Sequence, residues 1–215
     1  MKLKVVVVDC GIGNLLSVSR SVEISGLADA VVSSNKDDIL SADRLILPGV
    51  GAFDAGMSGL RERGLVDPIL KITESKTPTM GICLGMQMLA TLSEEFGTTS
   101  GLNLIPGKVE KIPSFGVDGV ELKVPFVGWA ALHPESSSVT SKSYICKLSG
   151  GAVYLVHSFQ FIPDNSSHVI ASYKFGGHSI TAAVQNENII GLQFHPEKSG
   201  EIGLKIIKDF VSNKC

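Results

Sequence analysis

In the first half of the chain, short apolar runs alternate with stretches that carry apolar residues at helical spacing, and this alternation constrains the fold most. The apolar runs are LKVVVVD, AVVSS, RLILPG and TPTMGI, and the helical stretches are LLSVSRSVEIS, a pair from Ala55 to Ser75, and LGMQMLATLSEEF. Continuous Val, Ile and Leu strands separated by helices are typical of a parallel sheet covered on both faces. This half of the chain therefore predicts an α/β fold.

From about Ile105 the pattern changes to short runs separated by Gly, Pro, Ser and Asn, which predicts mostly antiparallel additions to the sheet. The segment SITAAVQNENIIGLQFHPE predicts two strands joined by a polar turn at Asn186 to Asn188, and Ser199 to Asn213 predicts a last helix. The other runs are KVEKI, ELKVPFVGW, SYICKL, AVYLVHSF and HVIASYKF. A length of 215 residues with 44% hydrophobic content fits one substantial core, so we expect one domain over residues 1–215.

Charge and cysteine usage narrow the function classes. The 19 Lys and Arg residues balance 21 Asp and Glu residues along the whole chain, so we expect no nucleic-acid partner. Asp9 interrupts the first apolar run far short of a membrane span, so we expect no membrane partner. The cysteines are far apart and form no metal-ligand pattern, which predicts free thiols in a reducing cytoplasm and no metal site. They are Cys10, Cys83, Cys146 and Cys215.

The segment Gly81-Ile82-Cys83-Leu84-Gly85 joins a predicted strand to a predicted helix in the manner of a nucleophile elbow with a thiol. So sharp a turn needs small residues two positions before and after the nucleophile, and Gly81 and Gly85 meet that need. The turn would expose the sulfur at the carboxyl end of the sheet, near a helix N-terminus that favours thiolate. We therefore predict that Cys83 is a nucleophile, the alternative being a small buried cysteine beside a Gly-rich turn.

Two further segments at predicted strand ends could complete a site. His195 and Glu197 in Gln193-Phe194-His195-Pro196-Glu197 supply a general base and a carboxylate to orient it, although such a triplet alone is weak evidence. In Leu47-Pro48-Gly49-Val50-Gly51, backbone N–H groups near Val50 and Gly51 could join that of Leu84 in an oxyanion hole. Three segments at strand ends indicate one site.

The segments PGVGAF, GICLGMQ and QFHPEKS together resemble the class I, triad-type glutamine amidotransferases. VVVVDCGIGNLLSV, PGVG, Met86, GLNLIPGKV and VPFVGW are similar to one branch, the glutaminase subunits of imidazole glycerol phosphate synthase. The resemblance implies a three-layer, flavodoxin-like fold with a central, mostly parallel sheet. It also implies that Cys83 attacks glutamine to give a γ-glutamyl thioester, that His195 protonates the departing ammonia, and that water then releases glutamate, without metal or cofactor.

The resemblance further implies which residues bind glutamine and which contact a partner. The residues implied for glutamine are Gly51, Gln87, Glu95, Ser158 and Phe159. The residues implied for the partner interface are Asn14, Trp129, Tyr154 and Lys198. The partner implied is a separate (β/α)₈-barrel cyclase subunit, which forms a heterodimer and receives ammonia for histidine biosynthesis.

Two departures from the family pattern leave alternatives open. The family usually reads PHMGWN where this chain has Phe126 and Ala130 in place of the His and the Asn. The chain could therefore be a paralogous glutaminase that feeds a different barrel-type synthase, for example one that amidates a surface sugar. It could also be a catalytically silent binding partner, or a free-standing γ-glutamyl hydrolase or amidase. Because the Gly49–Gly51 segment is flexible, we expect weak basal activity and stimulation by the partner.

Overall fold

The computed structural model describes residues 2–135 and 151–212. The helices are α1 Leu15–Ile24, α2 Lys36–Leu40, α3 Phe53–Glu62, α4 Val66–Glu74, α5 Leu84–Met88 and α6 Gly200–Ser212. The strands are β1 Leu3–Val8, β2 Ala28–Ser33, β3 Arg44–Gly49, β4 Thr79–Cys83, β5 Leu92–Ser93, β6 Thr99–Ser100, β7 Gly107–Lys111, β8 Phe126–Ala131, β9 His133–Pro134, β10 Ala152–His157, β11 Phe159–Pro163, β12 Val169–Phe175, β13 His178–Asn186 and β14 Ile189–Leu192. Short 3-10 turns cover Ser166–His168 and Pro196–Lys198.

An eight-stranded central sheet has the order β2-β1-β3-β4-β14-β13-β12-β9. The strands from β2 to β14 pair in parallel, and β13, β12 and β9 pair antiparallel. Gly49 at the end of β3 pairs with Cys83 at the end of β4, while Leu192 at the end of β14 pairs with Ile82. The segments that follow β3, β4 and β14 therefore leave the sheet side by side at its carboxyl-terminal end.

Both faces of the sheet are covered, as the unbroken valine run of β1 requires. Val5 and Val7 pack into one hydrophobic cluster with residues of α1 and α6, and Val6 and Val8 pack into the other with residues of α3 and α4. All four side chains are fully buried. Successive side chains of a strand point to opposite faces, so a continuous apolar run requires two cores. This mixed α/β architecture agrees with the fold expected from the sequence.

Two smaller sheets come from the middle of the chain. One has the order β11-β7-β5-β6, and the other pairs β10 with β8. The backbone of β10 reaches the segment after β14, because the N–H of His195 donates to the carbonyl of Tyr154 at 2.9 Å. The β8–β10 ribbon therefore lies directly against the end of the sheet at which β3, β4 and β14 finish.

Most elements lie where the sequence predicted them, including the polar turn between β13 and β14 and the last helix. The helix predicted over Leu84 to Phe96 is wrong beyond Met88, where α5 ends. The carbonyls of Met88 and Leu89 accept from the N–H groups of Leu102 and Leu104, both at 2.9 Å, so they are not available to a further helical turn.

Three other details differ from the prediction or lie beyond it. The strand predicted from Glu121 begins only at Phe126, after Pro125, which has no N–H to donate to a neighbouring strand. The run AVYLVHSF is divided between β10 and β11, which belong to different sheets. The run SYICKL lies outside the described residues. None of the helices within the two described ranges has the length and apolarity that a membrane crossing requires.

Candidate active site

Cys83 stands on a strained turn between β4 and α5. Its backbone has φ 54° and ψ −111°, a conformation that costs energy for any residue with a Cβ atom. A Cβ atom on Gly85 would lie 1.7 Å from the carbonyl oxygen of Leu47, and one on Gly81 would lie 2.6 Å from that of Gly85. Backbone crowding thus requires both glycines, as the spacing in the sequence predicted.

His195 and Glu197 form a buried pair beside this turn. The Nδ1 atom of His195 lies 2.9 Å from Oε1 of Glu197, and the side chains are only 5% and 1% exposed. Pro196–Lys198 forms a 3-10 turn, and this reversal brings two residues of one segment into contact. A carboxylate can only accept, so Nδ1 carries the proton and Nε2 is left for the sulfur of Cys83.

The charges of this group favour a protonated imidazole. Burial by itself lowers the pKa of His195, but hydrogen bonds and charge interactions with Cys83 and Glu197 outweigh it and raise the pKa to about 9. At neutral pH the imidazole therefore holds a proton that it can give to a leaving group. A cysteine and a protonated histidine in contact are the arrangement that activates a thiol for attack on a carbonyl.

The sulfur of Cys83 has two other polar neighbours, which the sequence did not predict. Nε2 of Gln193 lies 3.8 Å from it, and the carbonyl oxygen of Val156 lies 3.9 Å from it. Gln193 is fully buried. Its position two residues before His195 in a predicted strand was the one sequence signal that could have placed it on the same side of the chain.

The segment after β3 lies beside the elbow, as an oxyanion hole requires. Gly49 packs so closely that an added Cβ atom would be 3.0 Å from Cβ of Leu84, the first residue of α5. Gly51 has φ 98°, and Val50 is 41% exposed. Within the described ranges, neither Val50 nor Gly51 donates a hydrogen bond from its backbone N–H. These donors are therefore available to a ligand.

A cleft of about 360 Å³ opens above Cys83. All five residues implied for glutamine line it, whereas Glu197 lies behind His195 and does not. The lining residues are Val50, Gly51, Cys83, Leu84, Gln87, Glu95, Pro125, Val156, His157, Ser158, Phe159, His195 and Lys198. Pro125, Val156 and His157 belong to the site although the sequence did not predict them there.

Gln87 and Glu95 are held by backbone groups around the cleft. Nε2 of Gln87 donates to the carbonyl of Phe159 at 3.0 Å. Oε2 of Glu95 accepts from the N–H of Phe53 at 2.7 Å, at the N-terminus of α3, where a carboxylate is favoured. Both side chains are thus fixed at the wall of the cleft.

His157 is a second histidine in the cleft, but its ring is fully bonded. The carbonyl of Phe159 lies 2.7 Å from Nδ1, so Nδ1 donates and Nε2 accepts from the hydroxyl of Tyr173 at 2.8 Å. Burial, together with the nearby charge of His195, lowers the pKa of His157 to about 4, despite the opposing hydrogen bond to Phe159. His157 is therefore neutral and acts as a structural part of the wall.

Three of the four residues implied for a partner interface lie together at the rim. The rings of Trp129 and Tyr154 are 5.9 Å apart, and Nζ of Lys198 is 6.0 Å from the Tyr154 ring. Trp129 is 57% exposed, so it is not a core aromatic residue. Asn14 lies at the start of α1, which packs against the Pro196–Lys198 turn, and its side chain makes no capping bond.

The two departures from the family pattern lie on β8. Phe126 packs against the rings of Tyr173 and Phe175 at 5.0 and 5.2 Å, and Ala130 is partly buried on the same face. Their face of β8 points to the core, while Trp129 on the opposite face remains exposed.

Within residues 2–135 and 151–212, no three His, Cys, Asp or Glu residues form a group that could hold a metal ion.

Comparisons with known proteins identify the family of the chain. A family model described as glutamine amidotransferase class-I matches residues 6–214. Imidazole glycerol phosphate synthase subunit HisH 1 of Legionella pneumophila (strain Paris) is 46% identical over 207 residues, which cover 95% of this chain and 97% of the relative. The HisH subunit of Syntrophotalea carbinolica is 42% identical, with 96% and 98% covered.

Among solved structures, PurLQS from Thermotoga maritima is similar in fold, with a TM-score of 0.72, 23% identity and 98% of each chain covered. A structure described as a glutamine amidotransferase has a TM-score of 0.71, 18% identity, and 97% and 99% covered. Because the family model matches residues 6–214 and the relatives are 42–46% identical, the protein belongs to the class I glutamine amidotransferase family and is similar to the HisH subunits of imidazole glycerol phosphate synthase.

Proposed function

We propose that the chain hydrolyses glutamine through Cys83 and delivers the ammonia to a separate cyclase subunit for imidazole glycerol phosphate formation in histidine biosynthesis. The observation that carries the proposal is the strained elbow of Cys83 in contact with the buried His195–Glu197 pair. The names of relatives that are 42–46% identical over nearly the whole chain support the choice of pathway. We further propose that residues 1–215 form one domain that works in the cytoplasm.

In the proposed reaction, the thiolate of Cys83 attacks the side-chain carbonyl carbon of glutamine. The N–H groups of Val50, Gly51 and Leu84 stabilise the resulting oxyanion. His195 then donates its proton to the amide nitrogen, the C–N bond breaks, and ammonia leaves a γ-glutamyl thioester on Cys83. In the second half, His195 takes a proton from water, hydroxide attacks the thioester, and glutamate and the thiolate are released.

In this proposal, residues that line the cleft bind the substrate. Glutamine is small and highly polar, and the 360 Å³ cleft offers it charged and hydrogen-bonding groups. The residues proposed to hold it are Gly51, Gln87, Glu95, Ser158 and Phe159. The carboxylate of Glu95 is suited to the α-ammonium group, because it is the acidic side chain at the wall of the cleft.

The partner is proposed to be a (β/α)₈-barrel cyclase that docks on Trp129, Tyr154 and Lys198, with Asn14 at the periphery. Exposed aromatic and cationic side chains next to a cleft are typical of contact sites. Ammonia is largely protonated in water at neutral pH and then is not a nucleophile, so transfer through a closed heterodimer protects the product. Binding of the acceptor's substrate would assemble the oxyanion hole and so stimulate hydrolysis allosterically.

The proposal is tested by glutamate release from glutamine by the purified chain alone, with a barrel-type cyclase, and with the cyclase and its ribonucleotide substrate. Cys83→Ala provides the blank, and Cys10→Ala provides a matched control, because Cys10 is the other buried free cysteine among the described residues. We expect weak release from the chain alone and a many-fold increase with the cyclase and its ligand.

Other outcomes separate the alternatives. Glutamate release that depends on Cys83 but is not stimulated by this cyclase would support the glutaminase reaction. It would indicate a paralogue that serves another barrel-type acceptor. Rapid release by the isolated chain would point to a free-standing amidase. No release under any condition would favour a catalytically silent binding partner and would overturn the proposed reaction.

A further inference from the structure

Gln193 is a buried polar side chain at the nucleophile that the reaction above does not use. It is fully buried, follows β14, and lies two residues before His195. Its Nε2 atom is 3.8 Å from the sulfur of Cys83, and its Oε1 atom is 3.0 Å from Nε2 of Gln87. A buried primary amide requires partners for both of its ends, and here each end meets a residue of the cleft.

One backbone carbonyl determines which way these amides face. The oxygen of Phe159 can only accept, so Gln87 must present its NH₂ group to it, at 3.0 Å. The second N–H of that group donates to Oε1 of Gln193 at 3.0 Å. The reversed orientation of Gln193 would set two NH₂ groups against each other. Gln193 must therefore direct its own NH₂ group toward the sulfur of Cys83.

The carbonyl that fixes this orientation is itself anchored. It also accepts from Nδ1 of His157 at 2.7 Å, and Nε2 of that ring accepts from the hydroxyl of Tyr173 at 2.8 Å. Both of these side chains are buried. The carbonyl oxygen of Phe159 therefore accepts from both His157 and Gln87. From Gln87 the donors run through Gln193 to the sulfur of Cys83, so each of these side chains restrains the next.

A donor aimed at the sulfur distinguishes the two protonation states of Cys83. A neutral thiol is a weak acceptor, whereas a thiolate accepts strongly. The thiol could instead donate to the carbonyl of Val156 at 3.9 Å, which the thiolate cannot do. The NH₂ group of Gln193 therefore favours the thiolate without adding a charge.

The ionisable groups that face the sulfur come from every side of the cleft. Protonated His195, with Glu197 behind it, favours the thiolate, and neutral His157 contributes no charge of its own. Glu95 and Lys198 line the wall with opposite charges. Any change in the reactivity of Cys83 in a Gln193 variant must be read against these five groups, all of which the variant leaves in place.

We propose that Gln193 is a positioning residue of the glutaminase reaction, and that its amide, oriented by Gln87, holds the thiolate of Cys83 for attack. This inference rests on the proposed function. It gives Gln87 two tasks, because both of its N–H groups are committed to Phe159 and Gln193, and its Oε1 atom is left for the substrate.

The test is the pH dependence of the alkylation of Cys83 by iodoacetamide, followed on the Cys83 peptide by mass spectrometry. Gln193→Met keeps the size of the side chain and removes the donor. At pH values below the midpoint of the wild-type alkylation profile, we expect the variant to be alkylated about tenfold more slowly. We also expect kcat for glutamine to fall while KM changes little. Gln160→Met is the matched control, since Gln160 is a buried glutamine on β11 that does not line the cleft.

Two further variants keep the inference open to refutation if Gln193→Met folds poorly. Gln193→Glu has the same shape but presents an acceptor to the sulfur, so it should slow alkylation more than Gln193→Met does. Gln87→Met frees the Gln193 amide to rotate, so it should also slow the alkylation of Cys83. Combining Gln87→Met with Gln193→Met should add little further effect. Thermal unfolding identifies which variants are folded.

A folded Gln193→Met variant with the wild-type alkylation profile would overturn the inference, even if its turnover were reduced. The alkylation assay needs neither a partner nor glutamine. If alkylation of Cys83 depends on Gln193 but no glutamate is ever released, the proposed function fails while the positioning of the thiolate stands, so the two failures are distinguishable.

Discussion

Replacing Gly85 with alanine tests whether crowding at the elbow is the reason for the Gly-Ile-Cys-Leu-Gly spacing. An alanine usually stabilises a helix by about 1 kcal/mol relative to glycine. Here its Cβ atom would lie 1.7 Å from the carbonyl oxygen of Leu47, whereas real Cβ contacts are essentially never below 3.0 Å. Helix α5 and strand β3 would therefore have to separate by roughly 1 Å, in a backbone that cannot rotate out of the way.

Forced overpacking of this kind costs about 1–3 kcal/mol and occasionally more, so we expect Gly85→Ala to lose roughly 3 kcal/mol of unfolding free energy. Chemical denaturation measures it. Gly64→Ala is the control, because Gly64 has φ 64° and no atom within 4 Å of an added Cβ, so only a backbone cost of about 1 kcal/mol is expected. Because β3 leads into Val50 and Gly51, Gly85→Ala should also abolish glutamine turnover. Wild-type stability together with normal turnover would refute the reasoning.

Three further predictions concern the charges and the rim of the site. Glu197→Gln should lower the pKa of His195 from about 9, so that the fall of kcat/KM on the alkaline side moves to lower pH; an unchanged alkaline limb would contradict the assigned pair. Because burial lowers the pKa of His157 from 6.5 to about 4, the unfolded state binds its proton first, and stability should fall by up to about 3 kcal/mol as pH drops through this window. His157→Gln should show less of this loss in denaturation curves collected across the window, and an equal loss would refute the burial argument. Trp129→Ala should change stability by no more than about 0.5 kcal/mol and reduce stimulation by the cyclase, whereas Ile24→Ala, which is also exposed, should leave stimulation intact.

The parallel part of the fold could be predicted because each buried strand is a continuous apolar run, and the β-branched run Val5–Val8 favours a strand over a helix. Helix α5 could not be predicted correctly, since its end is determined by hydrogen bonds from Leu102 and Leu104, which follow more than a dozen residues later. Apolar periodicity is a local signal and contains no information on such distant partners.

The site shows the same division between local and distant information. The elbow around Cys83 could be placed from its two glycines, and the neighbours proposed to bind glutamine followed from a family resemblance. Gln193 and His157 were not assigned to it, because a buried side chain acquires its partners only when β10, β11 and β14 come together. Their role depends on the direction of hydrogen bonds across the cleft, and spacing along the chain does not specify that direction.

The most direct test of the central claim is mass spectrometry of the Cys83 peptide after the reaction with glutamine is quenched by acid during turnover. The account predicts a γ-glutamyl group on the sulfur of Cys83, formed only with glutamine, together with complete loss of glutamate release in Cys83→Ala. A γ-glutamyl group on another residue, or glutamate release that persists in Cys83→Ala, would contradict it.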